Sequence, residues 1–470
     1  MDKKWIQILM MIICIAGFYL NAADDGEKIE SIFKVYFKRI LEVNPEFLAS
    51  LGIDDSFGIS MNRDRLTDLS ISALDREMAL KRQTVKSLLA IPEQPLNPSQ
   101  RLARKILLLN LQNRLTGEPY RYHAYLINPM LGVHISFTNL MIENHPINDR
   151  QDATDYIARL HAFGKKIDQV LTILKIKREK KLFPPKAIIK RQLITLVKFV
   201  KVPEIENPLF THFKHKVQGL KKIEESERES LLRLVLAQMK QTVYPAYYRY
   251  ITFLKELYAI SDDRLGVWRL PDGDNYYEYC LKSHTSDRYT PEMVFQIGMS
   301  EVKRIRRETV KILRKSGIKH QSSLSSMLKA YWKRAARKNP SDLYYRNSKF
   351  GKKRAIADFK SYLKKVDRLL PKYFSLRPRQ KVDVRAVPDF KSGAMGAHYS
   401  RASLDGRRKG VFYVNTVRPP FKPSMQTLAL HEGLPGHHFQ IAIQQESKEN
   451  RLFRNLFFFT AFVEGWALYA

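Results

Sequence analysis

The chain has 470 residues, of which 44% are hydrophobic, and this composition excludes an intrinsically disordered protein. Its 81 Lys and Arg against 47 Asp and Glu give a net charge of +34, which attracts nucleic acid, anionic lipid or acidic peptides. However, the basic residues are spread along amphipathic helical patterns, and the sequence contains no nucleic-acid-binding motif. We therefore expect no nucleic-acid partner and consider electrostatic association with an anionic envelope.

Residues 1–23 have the pattern of a secretory signal peptide. Lys3 precedes an apolar run from Trp5 to Tyr19, and the small residues Ala22 and Ala23 follow that run. The run is too short to span a bilayer comfortably, and the small residues suit a cleavage site. The sequence therefore predicts export to the periplasm or beyond, with an uncleaved N-terminal anchor as the alternative.

Helical periodicity dominates residues 24–290, which we expect to form an N-terminal helical region. Amphipathic patterns predict helices over residues 26–52, 101–115, 151–176 and 225–259. Pro245 should kink or divide the last of these helices because proline cannot donate the helical hydrogen bond.

Residues 291–470 are predicted to form the catalytic region. Its clearest helix runs from Pro291 to Ser316, with Thr290 as the N-cap and Gly317 as the terminating residue. Two later segments, 381–388 and 411–415, have the alternation and β-branched content of strands. They predict a small β-sheet or hairpin just before the helix that carries the metal-binding motif.

The most informative motif is His431-Glu432, followed by two further histidines at positions 437 and 438. Imidazole nitrogens bind Zn²⁺, and a carboxylate beside the first ligand can accept a proton from metal-activated water. The common spacing is His-Glu-x-x-His, because positions i and i+4 share a helix face, but the Pro435-Gly436 pair interrupts that spacing here. We expect this pair to break the helix and to bring either His437 or His438 to the metal. We favour His437, in which case His438 would contact a ligand or the substrate.

Glu464 is the candidate third ligand, since it is the carboxylate of an otherwise apolar helical segment in which an unpaired charge would be costly to bury. Together with the histidines it would hold one zinc ion per chain and leave a position open for water, with Glu432 as the general base. Four residues of the predicted hairpin are candidates for substrate binding: His398, Tyr399, Arg407 and Tyr413. A tyrosine or histidine could donate to an oxyanion, and an arginine could bind a substrate carboxylate.

These motifs resemble those of the bacterial domain-of-unknown-function 885 family, which is grouped with the zincin-like metallopeptidases. The resemblance rests on residues 403–406, 412–416, 428–438 and 464–470, and it extends over most of the chain after the signal segment. It implies a mainly α fold, namely a large helical zincin-like fold with a small β-sheet or hairpin next to the active-site helix. It also implies that a peptide is the substrate and that peptide bonds are hydrolysed.

The resemblance further implies additional helices after the Glu464 segment. The chain ending at Ala470 is therefore expected to be truncated at its C-terminus. This expectation leaves an alternative function open, in which a catalytically degenerate family member binds peptide or is inactive.

Overall fold

The computed structural model describes residues 25–53, 57–285, 289–319, 321–388, 396–417, 420–447 and 452–470. The predicted signal peptide lies outside the described residues. Within them the protein is mainly helical and contains a three-stranded sheet, which confirms the predicted mainly α fold class. Among the described helices, none has the length and apolar character needed to cross a membrane.

The chain divides into two compact units. The first comprises Met1–Pro271 with Ser447–Phe457, and the second comprises Asp272–Glu446 with Phe458–Ala470. The second unit contains all the candidate metal ligands, and the first contains most of the predicted N-terminal helices.

The first unit is built from helices that pack around a large apolar core. Its helices are α1 (25–42), α2 (Pro45–Leu51), α3 (Ile71–Leu89), α4 (Pro98–Thr116), α5 (Val133–Asn139), α6 (Arg150–Glu179), α7 (Lys186–Val200), α8 (Pro208–Gln218), α9 (Glu225–Gln238) and α10 (Tyr244–Ile260). The centre of the core is α6, which buries Tyr156, Leu160 and Phe163 completely.

Prolines divide two of the predicted helices in this unit. The helix predicted over 26–52 is two helices, because Pro45 restricts Asn44 to a non-helical conformation. Gly52 then ends α2 with a φ of 61°. The pattern predicted over 225–259 is divided by a π-helical turn, Met239–Val243, which directly precedes α10, and Pro245, in the first turn of α10, cannot donate a helical hydrogen bond.

The second unit combines helices with the sheet. Its helices are α11 (Gly273–Thr285), α12 (Pro291–Lys315), α13 (Leu324–Lys338), α14 (Lys349–Leu369), α15 (Lys422–Glu432), α16 (His437–Glu446) and α17 (Thr460–Tyr469). The start of α12 is as predicted, since the Thr290 side chain accepts a hydrogen bond from the Met293 N–H. Gly317 follows its end with a φ of 75°.

The sheet has the strand order β1-β3-β2, with β1 at Val382–Ala386, β2 at His398–Ser400 and β3 at Gly410–Val414. The two predicted strands are β1 and β3, and they are parallel, so the hairpin alternative is wrong and the small-sheet alternative is confirmed. β2 pairs antiparallel with β3, and its three residues are too few for a strand pattern to be recognised in the sequence. β3 is wholly buried, which places the sheet against α14 through Phe412 and Phe359.

Candidate metal centre

The helix that carries the motif breaks immediately after Glu432. α15 ends at that residue, and α16 begins at His437, as expected from the intervening proline and glycine. The break requires glycine at position 436, because a Cβ there would lie 2.0 Å from the carbonyl oxygen of His431 and 2.3 Å from that of Leu430. This close approach of backbone to backbone turns the chain and places the His437 ring beside the His431 ring, with 4.6 Å between their centroids.

Helix α17 holds the broken segment through two hydrogen bonds. The Trp466 indole Nε1 donates to the carbonyl oxygen of Pro435 at 2.8 Å. The carbonyl oxygen of Ala467 lies 3.2 Å from the Nδ1 of His431. Glu464 precedes Ala467 by three positions on the same helix and therefore lies on the same face, next to the two histidines.

Three side chains converge at this point. The Glu464 Oε2 lies 3.7 Å from the His431 Nε2 and 3.6 Å from the His437 Nε2. Each of the three residues offers a ligand atom, and these atoms all lie within 4.8 Å of one another. Two ligands bound tetrahedrally to zinc at about 2.0–2.1 Å are about 3.3–3.4 Å apart, and the two distances from Glu464 to the histidines are close to that spacing.

The hydrogen bonds determine the tautomer of His431. A backbone carbonyl can only accept, so Nδ1 carries the ring proton and donates it to Ala467. The Nε2 lone pair of His431 then points toward Glu464, as a metal ligand requires.

His437 is buried, and burial lowers its pKa, while Glu464 raises that pKa and His431 lowers it further. The Nδ1 of His437 has no hydrogen-bond partner among the described residues. The Nε2 that faces Glu464 is therefore the ring nitrogen of His437 that a metal would use.

Glu432 lies next to these residues but outside the three-ligand group. Its side chain is 6% exposed, and burial raises its pKa to about 7. The Glu464 carboxylate also raises this pKa, whereas a hydrogen bond from the Tyr399 backbone N–H lowers it. A carboxylate in this environment can exchange a proton near neutral pH.

His438 does not belong to the three-ligand group, so of the two alternatives for the second ligand the group contains His437, which the sequence analysis favours. Its Nε2 donates to the carbonyl oxygen of Gln380 at 3.1 Å. Its Nδ1 must then accept the hydrogen bond from the Tyr399 hydroxyl, at 2.9 Å. Both ring nitrogens are thus used by the protein, and burial lowers the pKa of His438 to about 4, which keeps the ring neutral.

Of the four residues predicted to bind substrate, Tyr399 lies against the site, between Glu432 and His438. Gly410 makes room for its phenol, because a Cβ at that position would lie 2.4 Å from the Tyr399 hydroxyl. This hydroxyl donates its proton to His438 and so is not directed at a substrate oxyanion.

The other three predicted residues have different surroundings. His398 stacks on Tyr413 with 5.1 Å between ring centroids, and Tyr413 is buried in β3. The Arg407 side chain is 71% exposed and lies 3.9 Å from Asp405. These contacts make the His398–Tyr413 pair part of the packing around the sheet.

The structure also reveals supporting residues that the sequence pattern does not indicate. The Glu446 carboxylate accepts hydrogen bonds from the backbone N–H groups of Arg379 and Gln380, both at 2.8 Å. It thereby fixes the carbonyl that receives the His438 proton. No local motif predicts this contact, because its partners are separated by 66 or more residues.

The fold and the candidate site define a class of protein: it is mainly helical and has a His-His-Glu group next to a broken helix. The chain belongs to the family described as bacterial proteins of unknown function, DUF885, whose sequence profile matches residues 45–470. The family predicted from the motifs is therefore confirmed. No curated protein matches the chain.

Two solved structures share this fold. A "putative lipoprotein" from Colwellia psychrerythraea is 22% identical with a TM-score of 0.84, over 95% of this chain and 77% of that one. A "putative lipoprotein of unknown function" from Shewanella oneidensis is 15% identical with a TM-score of 0.61, over 94% of this chain and 76% of that one. At these identities the likeness is one of fold.

Proposed function

We propose that the protein is a zinc-dependent peptidase that hydrolyses peptide bonds in small peptides. The observation that carries this proposal is the convergence of His431, His437 and Glu464, whose ligand atoms lie within 4.8 Å of one another. Three protein ligands and one open position are typical of catalytic zinc sites, whereas structural sites use four protein ligands.

The donor set favours zinc over other divalent ions. Two neutral imidazoles and one carboxylate are common zinc ligands, while magnesium and calcium prefer sites made of oxygen atoms alone. The Glu464 side chain is 50% exposed, so an entering ion can reach the three-ligand group.

Zinc, when bound, would supply a Lewis acid that polarises a carbonyl oxygen and acidifies a water molecule. Glu432 is the residue of this chain that would take up the proton of the attacking water and return it to the departing amine. Its position next to His431, its burial and the hydrogen bond from the Tyr399 N–H hold its carboxylate in one place.

The sheet supports a peptide as the substrate. β2 lies at an edge of the strand order, and the Tyr399 N–H is directed at Glu432 rather than at β3. Extended peptides bind along sheet edges, and this edge leads to the general base, although the Tyr399 N–H itself is bound to Glu432. Export is also part of the proposal, because residues 1–23 have a signal-peptide pattern and the two solved structures named above are each described as a "putative lipoprotein".

Metal content and turnover together test this function. We expect about one zinc per chain in the wild type, lost in His431→Ala and retained in His215→Ala, which changes an exposed histidine of α8. A peptide mixture incubated with the protein and analysed by mass spectrometry would identify cleaved bonds. Folded wild-type protein without zinc would contradict the metal site, and zinc without cleavage would favour the non-catalytic alternative.

A further inference from the structure

Helix α12 exposes nearly all of its surface, including its apolar residues. Leu313, in its last turn, is its buried residue. Seven large apolar side chains are at least 40% exposed: Met293, Phe295, Ile297, Met299, Val302, Ile305 and Ile312. A soluble protein rarely leaves so continuous an apolar surface uncovered unless that surface binds something.

Five of these seven residues, Phe295, Met299, Val302, Ile305 and Ile312, form one stripe, whereas Met293 and Ile297 lie on the opposite face of the helix. Phe295, Gly298, Val302, Ile305 and Ile312 recur at intervals of three, four and seven, which places them on one face of the helix. Lysines and arginines occupy the flanks and the opposite face: Lys303, Arg304, Arg306, Arg307, Lys311, Arg314 and Lys315. Long basic side chains on the flanks can reach past the apolar stripe toward an anionic surface.

The C-terminal end of α12 is anchored to α13. Leu313, Ile318 and Met327 form a small buried cluster, and the Arg334 guanidinium donates to the carbonyl oxygen of Ser316. The helix is therefore held in place by one end, while the stripe along the rest of its length stays exposed.

Charge identifies the kind of partner. Residues 291–338 contain thirteen Lys and Arg against three Glu, a net charge of +10 out of the +34 of the whole chain. Two of these glutamates are already paired within α12, Glu301 with Arg304 and Glu308 with Lys311. A second copy of this helix would bring like charges together, whereas an anionic surface would neutralise them.

We propose that α12 is a docking surface for an anionic lipid bilayer. The stripe would lie at the boundary between headgroups and acyl chains, and the basic flanks would contact the anionic headgroups. A strongly amphipathic helix of low average hydrophobicity, with Lys and Arg on its polar face, is the form that binds in the plane of a membrane surface. This inference is independent of the zinc site, because it uses no residue of that site.

Vesicle sedimentation with the full chain tests the proposal. We expect binding to vesicles of phosphatidylcholine with phosphatidylglycerol, little binding to phosphatidylcholine alone, and weaker binding as salt rises. The double variants Val302→Ser/Ile305→Ser and Arg306→Glu/Arg307→Glu should each weaken binding at least about tenfold.

Control variants change exposed positions of α7. Lys190→Glu/Arg191→Glu alters the net charge by the same amount, and Ile194→Ser removes an apolar side chain that is 60% exposed. Both controls should bind nearly as well as the wild type. The proposal is overturned if the α12 variants bind like the wild type or lose no more than the controls. It is also overturned if sedimentation velocity shows a dimer that the Val302→Ser/Ile305→Ser variant dissociates, since a second copy would then cover the stripe.

Discussion

Buried or half-buried histidines lie in both units of the protein, but their ring nitrogens have different partners. In the first unit, His145 donates from Nε2 to the Asp152 carbonyl oxygen and accepts at Nδ1 from Arg159, both at 2.8 Å. In the second unit, His431 uses Nδ1 for a carbonyl and directs Nε2 toward Glu464. A histidine whose two nitrogens are both bound by the protein is structural, and one that keeps a lone pair next to a carboxylate is a candidate ligand.

The same difference separates two adjacent residues. His438 uses both nitrogens, for Gln380 and Tyr399, whereas His437 directs Nε2 toward Glu464 and has no described partner at Nδ1. Histidine density in the sequence therefore indicates where the candidate site lies, and the hydrogen bonds of each ring distinguish the candidate ligand from its neighbour.

The largest expected effect is that of changing Glu432, the carboxylate next to the three-ligand group that is not itself a candidate ligand. Glu432→Gln removes the proton acceptor but preserves the shape of the side chain, so we expect turnover to fall by a factor on the order of 10²–10⁴ with zinc content unchanged. Turnover on the peptides cleaved by the wild type, measured beside elemental analysis, checks this. If this variant kept the wild-type turnover, Glu432 would not be the general base.

Gly436→Ala tests the helix break on which the comparison of His437 and His438 depends. The added Cβ has no space between the His431 and Leu430 carbonyls, so we expect a loss of about 1–3 kcal/mol in unfolding free energy and a loss of zinc. Gly465→Ala is the matched control, because a Cβ at this helical position meets nothing within 4 Å and should stabilise the helix by up to about 1 kcal/mol. Equal behaviour of the two variants would contradict the close approach at Gly436.

The pH dependence of stability tests the surroundings of a buried histidine in the first unit, His134. Burial lowers the pKa of His134 to about 4, and neither of its ring nitrogens has a partner among the described residues. In the unfolded chain His134 binds a proton below about pH 6.5, whereas in the folded chain it binds one only below about pH 4. The free energy of unfolding therefore decreases as the pH falls through this window. His134→Leu should reduce that slope by up to about 1.4 kcal/mol per pH unit between pH 6.5 and 5.

Denaturant unfolding at several pH values measures this slope, with His215→Leu as the exposed control. A slope in His134→Leu that equals the wild-type slope would show that folding does not lower the pKa of His134.

The smallest expected effect concerns Tyr399. Tyr399→Phe removes the hydroxyl that donates to the Nδ1 of His438, so we expect a loss of about 0.5–1.5 kcal/mol in unfolding free energy. Zinc content should not change, because His438 is outside the three-ligand group. Tyr248→Phe, at an exposed position of α10, serves as the control for thermal unfolding. Loss of zinc in Tyr399→Phe alone would indicate that His438 does bind the metal.

The sequence predicted those features that local chemistry determines. Thr290 and Gly317 defined both ends of α12, and the Pro435-Gly436 pair indicated the break between α15 and α16. The family could also be predicted from the sequence, because each of its motifs is contiguous in the chain.

Features that depend on distant contacts could not be predicted in this way. The parallel pairing of β1 with β3 and the short strand β2 depend on how segments meet in space. The choice between His437 and His438 depends on Gln380 and Tyr399, which lie 58 and 39 residues away from His438. No spacing rule within the motif contains that information.

Zinc content of the matched variants His437→Ala and His438→Ala tests the central claim most directly, since the two residues are adjacent and both buried. We predict that His437→Ala loses zinc, while His438→Ala, if folded, retains about one zinc per chain. The opposite result, with zinc retained in His437→Ala and lost in folded His438→Ala, would contradict the assignment of His431, His437 and Glu464 as the metal-binding group.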